Sequence, residues 1–134
     1  MRLLAATDFA LRTLVRLAAS PGRLASTDVL AREIGVPRNH VHKVVQSLSD
    51  AGLVATTRGQ GGGVRLARCA KSITLGEVVR WFERDQAMVE CFRADGGACP
   101  LDVRCRVKKA LGSAGERYFE ELDRTTLAEC VGTV

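Results

Sequence analysis

The chain has few aromatic residues and no long hydrophobic run. Only six of its 134 residues are aromatic, although 46% are hydrophobic, so the core is expected to be mainly aliphatic. No apolar run reaches the ~18–20 residues that a transmembrane helix needs. The stretch at 1–20 could be mistaken for a signal peptide, but Asp8, Arg12 and Arg16 interrupt it. These absences predict a cytoplasmic protein without membrane segments, consisting of one domain or a small domain with an appendage.

The five cysteines do not follow the spacing of disulfide scaffolds or zinc modules. Their number is odd, and Cys91, Cys99 and Cys105 are separated by seven and five residues. Zinc ribbons and knuckles use pairs about two to four residues apart. In a cytoplasmic protein such cysteines favour metal or redox chemistry. Three thiolates supply only three of the ~4 ligands that an iron–sulfur cluster normally takes. Cys69 and Cys130 stand apart and are expected to be structural.

The signatures of nucleotide binding and catalysis are also missing. The Gly-rich stretch at 59–63 is not followed by the Lys-Ser/Thr pair of a phosphate-binding loop. No nucleophile–base pair is recognisable, and His40 and His42 both fall on one predicted helix. The chain is therefore not expected to be an enzyme.

The positive charge is concentrated in the first half of the chain. Residues 1–68 contain ten Lys/Arg and four Asp/Glu, whereas residues 69–134 contain ten and eleven, so the net charges are +6 and −1. A basic half joined to a nearly neutral half is typical of a nucleic-acid-binding unit attached to a second unit.

A first helix is predicted to begin at Thr7, a suitable N-cap, with Asp8 in its first turn. Its apolar residues recur at helical spacing, and Pro21-Gly22 ends it.

Two further helices follow in quick succession. The second begins at Ser26 or Thr27 and ends at Gly35, which can adopt the left-handed conformation. Pro37 opens the third helix at a position where its missing N–H has no cost, and Gly52 closes it. Two helices joined by a tight turn predict a helix-turn-helix.

The third helix has an apolar face and a polar face. The apolar residues recur at i, i+3, i+4 and i+7: Val41, Val44, Val45 and Leu48. The polar face carries side chains that bind base edges and phosphates: Arg38, Asn39, His42, Lys43 and Gln46. This face is the predicted DNA-reading surface.

A β-hairpin with a flexible tip, a wing, is predicted next, with strands at 53–57 and 64–67. Basic side chains flank the tip, where they suit phosphates or a narrow minor groove. The predicted DNA contacts of the wing are Arg58, Gly61, Gly62 and Arg65.

The last predicted helix follows Cys105, after a fourth helix that starts at Ser72 or Thr74. One apolar stripe starts just before this helix and continues along it: Val103, Val107, Leu111, Ala114, Tyr118 and Leu122. So long a stripe on a small chain favours pairing with a second copy, although packing on the chain's own winged domain is the alternative. Gly112 and Gly115 each cost ~1 kcal/mol in a helix interior, which close helix–helix approach would offset.

Several segments, in this order, resemble the Rrf2 family of bacterial winged-helix regulators. They are TDFALRTLVRLA (7–18), IGVPRNHVHKVVQSLSDAGLV (34–54), RGQGGGVRLA (58–67), ITLGEVV (73–79) and VECF (89–92). The resemblance implies a mainly α fold with a small β-hairpin wing. It implies a winged helix-turn-helix DNA-binding domain over 1–70, and a cysteine-loop region with a long dimerisation helix over 71–134.

Within the family, the VECF segment resembles the members that sense nitric oxide. That resemblance implies a homodimeric repressor that leaves its palindromic operator when an iron–sulfur cluster is nitrosylated. It also implies the cluster ligands Cys91, Cys99, Cys105 and, from the other subunit, Asp8, holding [4Fe-4S] or alternatively [2Fe-2S]. Arg12 lies one turn after Asp8, where it can pair with that carboxylate or with the cluster charge.

Two features depart from the family pattern. Lys108 stands where the regulators of iron–sulfur assembly genes carry a histidine. The interval between Cys91 and Cys99, with Gly96-Gly97, is longer than expected and indicates a lengthened loop.

Two alternatives for function remain open. One is a cluster-binding sensor of redox state or iron status that regulates other genes. The other is a cluster-free thiol switch in which Cys99 and Cys105 form a disulfide on oxidation.

Overall fold

Helices dominate residues 2–101 and 104–132, the part of the chain that the computed structural model describes. The α-helices are α1 (Ala5–Ala18), α2 (Thr27–Ile34), α3 (Arg38–Asp50), α4 (Leu75–Glu83) and α5 (Arg106–Asp123). The strands are β1 (Val54–Thr57) and β2 (Gly63–Leu66), and short 3₁₀ turns include Ala70–Ser72, Glu90–Phe92 and Leu127–Cys130. Among these described helices, none has the length and hydropathy needed to cross a membrane. Val103, part of the predicted stripe, lies outside the described residues.

The helix-turn-helix has the predicted boundaries to within one residue. Ser26 caps α2 by accepting the Val29 N–H at 3.2 Å. Gly35 ends α2 in the left-handed conformation, with a φ of 69°. Pro37 is the N-cap of α3 rather than its first helical residue. The predicted apolar face of α3 is confirmed, since four residues are buried: Val41, Val44, Val45 and Leu48.

The first helix begins earlier than predicted. Its N-cap is Leu4, whereas Thr7 lies within the helix and is fully buried. A carboxylate from α4 explains the difference, because Glu83 Oε1 accepts the Leu4 N–H at 2.7 Å and the Thr7 hydroxyl at 2.5 Å. The start of α1 is therefore set by a residue far away in sequence rather than by a local cap.

The wing is an antiparallel hairpin in the register Val54↔Leu66 to Thr57↔Gly63. Ala25 extends the hairpin by one bridge, since Ala25 and Val64 exchange backbone hydrogen bonds of 3.0 and 2.8 Å. A Cβ at Gly62 would lie 2.1 Å from the Thr57 carbonyl oxygen, so only glycine fits there. The tip is consequently a tight backbone turn.

The core is aliphatic, as predicted, and it extends to both ends of the chain. Leu14 of α1, Leu30 of α2 and Leu48 of α3 are fully buried in it. Leu127, near the C-terminus, is also fully buried there, and its N–H donates to the Ile73 carbonyl at 2.8 Å. The division of the chain at residues 70/71 stays a prediction.

Helix α5 packs against α4 and remains largely uncovered. Arg80 of α4 donates to both carboxylate oxygens of Asp123 at 2.7 Å, and its guanidinium lies 4.6 Å from the Phe119 ring centroid. No described residue of α5 is buried, and Val107 of the predicted stripe is 64% exposed. The helix thus lines one wall of an open groove of about 1240 Å³.

The two glycines of α5 face the segment that follows α4. A Cβ at Gly112 would lie 3.7 Å from Phe92 Cζ, and one at Gly115 would lie 3.8 Å from Met88 Cε. Both distances are ordinary van der Waals contacts. Within the described subunit, the glycines therefore adjoin the cysteine segment, whereas the sequence pointed to another helix.

Candidate metal site and nucleic-acid interface

The predicted reading face of α3 is exposed along its whole length. Arg38 Nε lies 2.7 Å from Asp28 Oδ1, and Gln46 Nε2 donates to Asp50 Oδ1 at 3.1 Å. The other side chains of the face make no side-chain hydrogen bond or ion pair within the described part of the chain: Asn39, His42 and Lys43. This face can offer amide, imidazole, ammonium and guanidinium donors to DNA at once.

Two basic residues of the wing flank its tip. Arg58 follows β1 directly, and Arg65 lies within β2 opposite Ala55. Both are exposed, and Arg65 Nη1 donates to the Leu66 carbonyl at 3.3 Å. Gly61, at the tip, has a φ of 77°, which favours glycine. The wing therefore presents one guanidinium group on each side of a narrow turn.

The three clustered cysteines occupy the segment that joins α4 to α5. Cys91 lies in the 3₁₀ turn Glu90–Phe92, Cys99 follows eight residues later, and Cys105 is the N-cap of α5. Cys105 Sγ accepts the Lys108 N–H at 3.5 Å. Each of the three side chains is partly buried, and none forms a disulfide.

The structure does not bring these cysteines together into a ligand set. Across residues 2–101 and 104–132, no group of three or more His, Cys, Asp or Glu side chains is arranged to hold a metal ion. Their chemistry nevertheless fits an iron–sulfur cluster, which is bound by thiolates. The half-buried Cys91, Cys99 and Cys105 would be those thiolates, and the N-terminus of α5 places partial positive charge beside Cys105.

Asp8, the predicted fourth ligand, lies in the first turn of α1 and pairs with Arg12. Asp8 Oδ2 is 2.6 Å from Arg12 Nη2, and Asp8 Oδ1 accepts from Arg12 Nε at 3.2 Å. The expected pairing of Asp8 with Arg12 is thereby confirmed. Arg12 Nη1 also donates to the carbonyl of Ile34, the last residue of α2, at 3.4 Å. Asp8 is 47% exposed, so its carboxylate is accessible.

Charged side chains that the sequence pattern did not single out hold the lengthened loop after Cys91. Arg93 Nη2 lies 2.7 Å from Asp95 Oδ2, and Arg93 Nη1 lies 3.4 Å from Glu90 Oε1. The Arg93 hydrogen bonds, followed by the Gly97 N–H, lower the pKa of Asp95 below its ordinary value. The alternation of acidic and basic residues at 90, 93 and 95 was the signal that could have revealed this arrangement.

The remaining cysteines lie apart from this segment. Cys69 is exposed at the N-cap of the 3₁₀ turn Ala70–Ser72. Cys130 Sγ donates to the Thr126 carbonyl at 3.5 Å, and burial followed by the nearby Glu129 charge raises the pKa of the Cys130 thiol. The Cys130 thiol is therefore harder to ionise than an ordinary cysteine thiol.

Comparison with known proteins identifies the family of the chain. The model of the Rrf2 family, described as an iron-dependent transcriptional regulator, matches residues 3–133. The HTH-type transcriptional regulator NsrR of Bacillus subtilis (strain 168) is 40% identical over 132 residues, which cover 98% of this chain and 90% of that protein.

Solved structures confirm the predicted fold. CymR (YrzC), the global cysteine regulator of B. subtilis, has a TM-score of 0.78 at 22% identity and covers 100% of this chain and 98% of its own. IscR of T. potens has a TM-score of 0.75 at 23% identity, with 96% of this chain and 85% of its own covered. The chain therefore belongs to the Rrf2 family, whose members are DNA-binding transcriptional regulators rather than enzymes.

Proposed function

We propose that the chain is a homodimeric repressor that binds palindromic operator DNA and senses nitric oxide through an iron–sulfur cluster. The ligands are Cys91, Cys99 and Cys105, with Asp8 supplied by the other subunit, and [4Fe-4S] is favoured over [2Fe-2S]. The observation that carries the proposal is the position of three half-buried, unpaired thiols on the segment that joins α4 to the uncovered helix α5. The similarity to NsrR supports this assignment.

The DNA-binding part of the proposal rests on the exposed, basic surface of α3 and the wing. In a symmetric dimer, two copies of α3 must lie about one DNA turn apart, roughly 34 Å, to enter successive major grooves. The distance between the two copies of α3 depends on how each α3 is oriented relative to the dimerisation helix α5. A modest change in that orientation would weaken DNA binding at both half-sites together.

Asp8 connects the candidate cluster site to the helix-turn-helix. A carboxylate is a harder ligand than a thiolate, so Asp8 is the weakest member of the set. When bound, an iron–sulfur cluster supplies iron atoms with which nitric oxide reacts. Asp8 has Arg12 as its other partner, and Arg12 contacts the Ile34 carbonyl beside the turn that leads to α3. A change in the partner of Asp8 would alter this contact, which lies beside the turn that leads to the proposed DNA-reading helix.

Iron and acid-labile sulfide per chain, measured on protein purified without oxygen, test the cluster. About four of each support the cubane form, and nitric oxide titration should then release labelled operator DNA. About two of each favour the alternative sensor of redox state or iron status. Cys99→Ala should abolish the visible cluster absorbance, whereas the exposed Cys69→Ala should retain it. Equal iron content in these two variants would remove Cys99 from the ligand set.

A thiol switch is the second candidate, and the position of Cys105 favours it. The N-terminus of α5 donates a hydrogen bond to this sulfur, which suits a reactive thiol. Peroxide would oxidise Cys99 and Cys105 to a disulfide and be reduced to two waters. Mass spectrometry after peroxide treatment of the iron-free protein would show the loss of two hydrogens and a Cys99–Cys105 cross-linked peptide.

A further inference from the structure

We propose that Glu90 and Gly97 are positioning residues that fix the placement of Cys91 relative to Cys99. The inference rests on the proposed function, since it concerns how two of the cluster thiols are presented. Glu90 immediately precedes Cys91, and Gly97 lies two residues before Cys99. Contacts between these flanking residues fold the interval back on itself.

The backbone of Gly97 passes directly against the backbone of Glu90. A Cβ at Gly97 would lie 2.1 Å from the Glu90 carbonyl oxygen and 2.8 Å from its carbonyl carbon. These are backbone atoms, which cannot rotate away as a flexible side chain would. Any residue larger than glycine at position 97 must therefore separate the two ends of the interval.

Side-chain contacts close the same interval. Glu90 Oε1 accepts the Ala98 N–H at 3.3 Å. This hydrogen bond joins the residue before Cys91 to the residue before Cys99. Asp95 Oδ1 accepts the Gly97 N–H at 3.0 Å. Arg93 holds both carboxylates, with contacts of 2.7 Å to Asp95 and 3.4 Å to Glu90. The loop is therefore secured from both ends and from its middle.

These contacts matter because the interval between Cys91 and Cys99 is long. Eight residues of fully extended chain can reach about 26 Å, so the interval must fold back on itself to present two sulfurs to one cluster. An interval that is already folded by its own contacts has less conformational freedom to lose when the thiols bind a metal. The additional residues between Cys91 and Cys99 thus form a structured spacer.

Neighbouring glycines provide a matched pair for testing the inference. Gly96 has a φ of 82° and Gly97 a φ of 63°, so alanine is strained in the left-handed conformation at either position. A Cβ at Gly96 has no atom within 4 Å, whereas a Cβ at Gly97 meets Glu90. Both variants carry the backbone strain, but only Gly97→Ala also places a Cβ against Glu90. The ratio of their metal affinities therefore measures the effect of that contact alone.

The measurement is an anaerobic titration of the iron-free protein with Co²⁺, followed by the thiolate-to-cobalt charge-transfer band. Gly97→Ala should bind Co²⁺ at least about tenfold more weakly than Gly96→Ala, in the range found when residues that orient metal ligands are altered. A thiol-specific cross-linker of short span should also join Cys91 to Cys99 less efficiently in Gly97→Ala. Thermal melting of both variants controls for loss of the fold.

Glu90 supplies a second test if Gly97→Ala does not fold. Glu90→Gln keeps an oxygen for the Ala98 N–H, whereas Glu90→Ala removes it, so only the alanine variant should lose Co²⁺ affinity strongly. Equal affinities within both pairs of variants would overturn the inference and leave the proposed function intact. If the wild-type protein takes up neither iron nor Co²⁺ through its thiols, the proposed function fails and the inference fails with it.

Discussion

The indole Nε1 of Trp81 donates a hydrogen bond to Ser47 Oγ at 3.0 Å. Trp81 lies on α4, and Ser47 lies on α3, between the buried face and the proposed DNA-reading face of that helix. Arg84 lies over the indole at 4.5 Å and donates to the Trp81 carbonyl. Since α4 leads directly into the cysteine segment, this bond connects the helix that precedes the candidate sensor to the proposed DNA-reading helix.

Removal of the Trp81–Ser47 bond should weaken operator binding while cluster content is unchanged. Ser47→Ala removes one hydrogen bond worth ~0.5–1.5 kcal/mol, so operator Kd should rise by up to about tenfold. Fluorescence anisotropy of labelled operator DNA measures the change. Ser49→Ala, on the same helix, has no side-chain hydrogen bond within the described residues and serves as the control. Identical Kd values for the two variants would show that the bond does not position α3.

Lys43 should contribute to DNA affinity through a phosphate, independently of base sequence. Its exposed ammonium lies on the reading face of α3. Loss of one phosphate contact lowers the slope of log K against log salt by ~1. Lys43→Gln should show this lower slope on operator and on random DNA, with cluster absorbance unchanged. Lys71→Gln removes the same charge outside α3 and the wing, and an equal loss of slope there would contradict the assignment.

The local features of the fold could be predicted from the sequence. The buried face of α3 follows from apolar residues at helical spacing, with Val41 and Leu48 at its two ends. The stop after α2 follows from Gly35, because few other residues adopt its φ of 69° without strain. Each of these predictions depends only on residues within two helical turns.

The features that were missed depend on residues far apart in sequence. Glu83 sets the start of α1 from 76 residues beyond Thr7, and no local pattern indicates this contact. Leu127 returns to the core through a 3₁₀ turn that is too short for a periodic signal. The sequence indicated the cysteine segment as chemically important, whereas the contacts that order it depend on the backbone position of Gly97.

Acid should weaken the packing of α4 against α5 through Asp123. The hydrogen bonds from Arg80 hold the pKa of the Asp123 carboxyl below its ordinary value of 3.8. The unfolded chain therefore binds a proton at this site at a higher pH than the folded chain does. The stabilisation is fully present above pH ~4 and is lost as the pH falls through the lowered pKa.

Thermal melts between pH 6 and pH 3 can test this dependence. The stability difference between wild type and Asp123→Asn should shrink as the pH falls below 4, because protonated Asp123 no longer offers Arg80 a carboxylate. Asp85→Asn is the control, since Asp85 is 86% exposed and lies 3.9 Å from Arg84. A stability difference that stays constant over this range would mean that the Arg80–Asp123 pair does not stabilise the fold.

Val107 should be essential for the proposed dimer and dispensable for the folded subunit. Its side chain is 64% exposed in the subunit, so Val107→Glu should change subunit stability by no more than ~0.5 kcal/mol. In a symmetric interface the same substitution buries an unpaired carboxylate from each copy. An unpaired buried charge costs ~3–5 kcal/mol, so the dimer dissociation constant should rise by at least about 100-fold. Sedimentation velocity over a concentration series measures this dissociation constant.

Ser113→Glu is the control, because it adds the same charge to an exposed position outside the stripe and should leave the dimer intact. A dimer that tolerates Val107→Glu as well as Ser113→Glu would place the interface elsewhere on the chain.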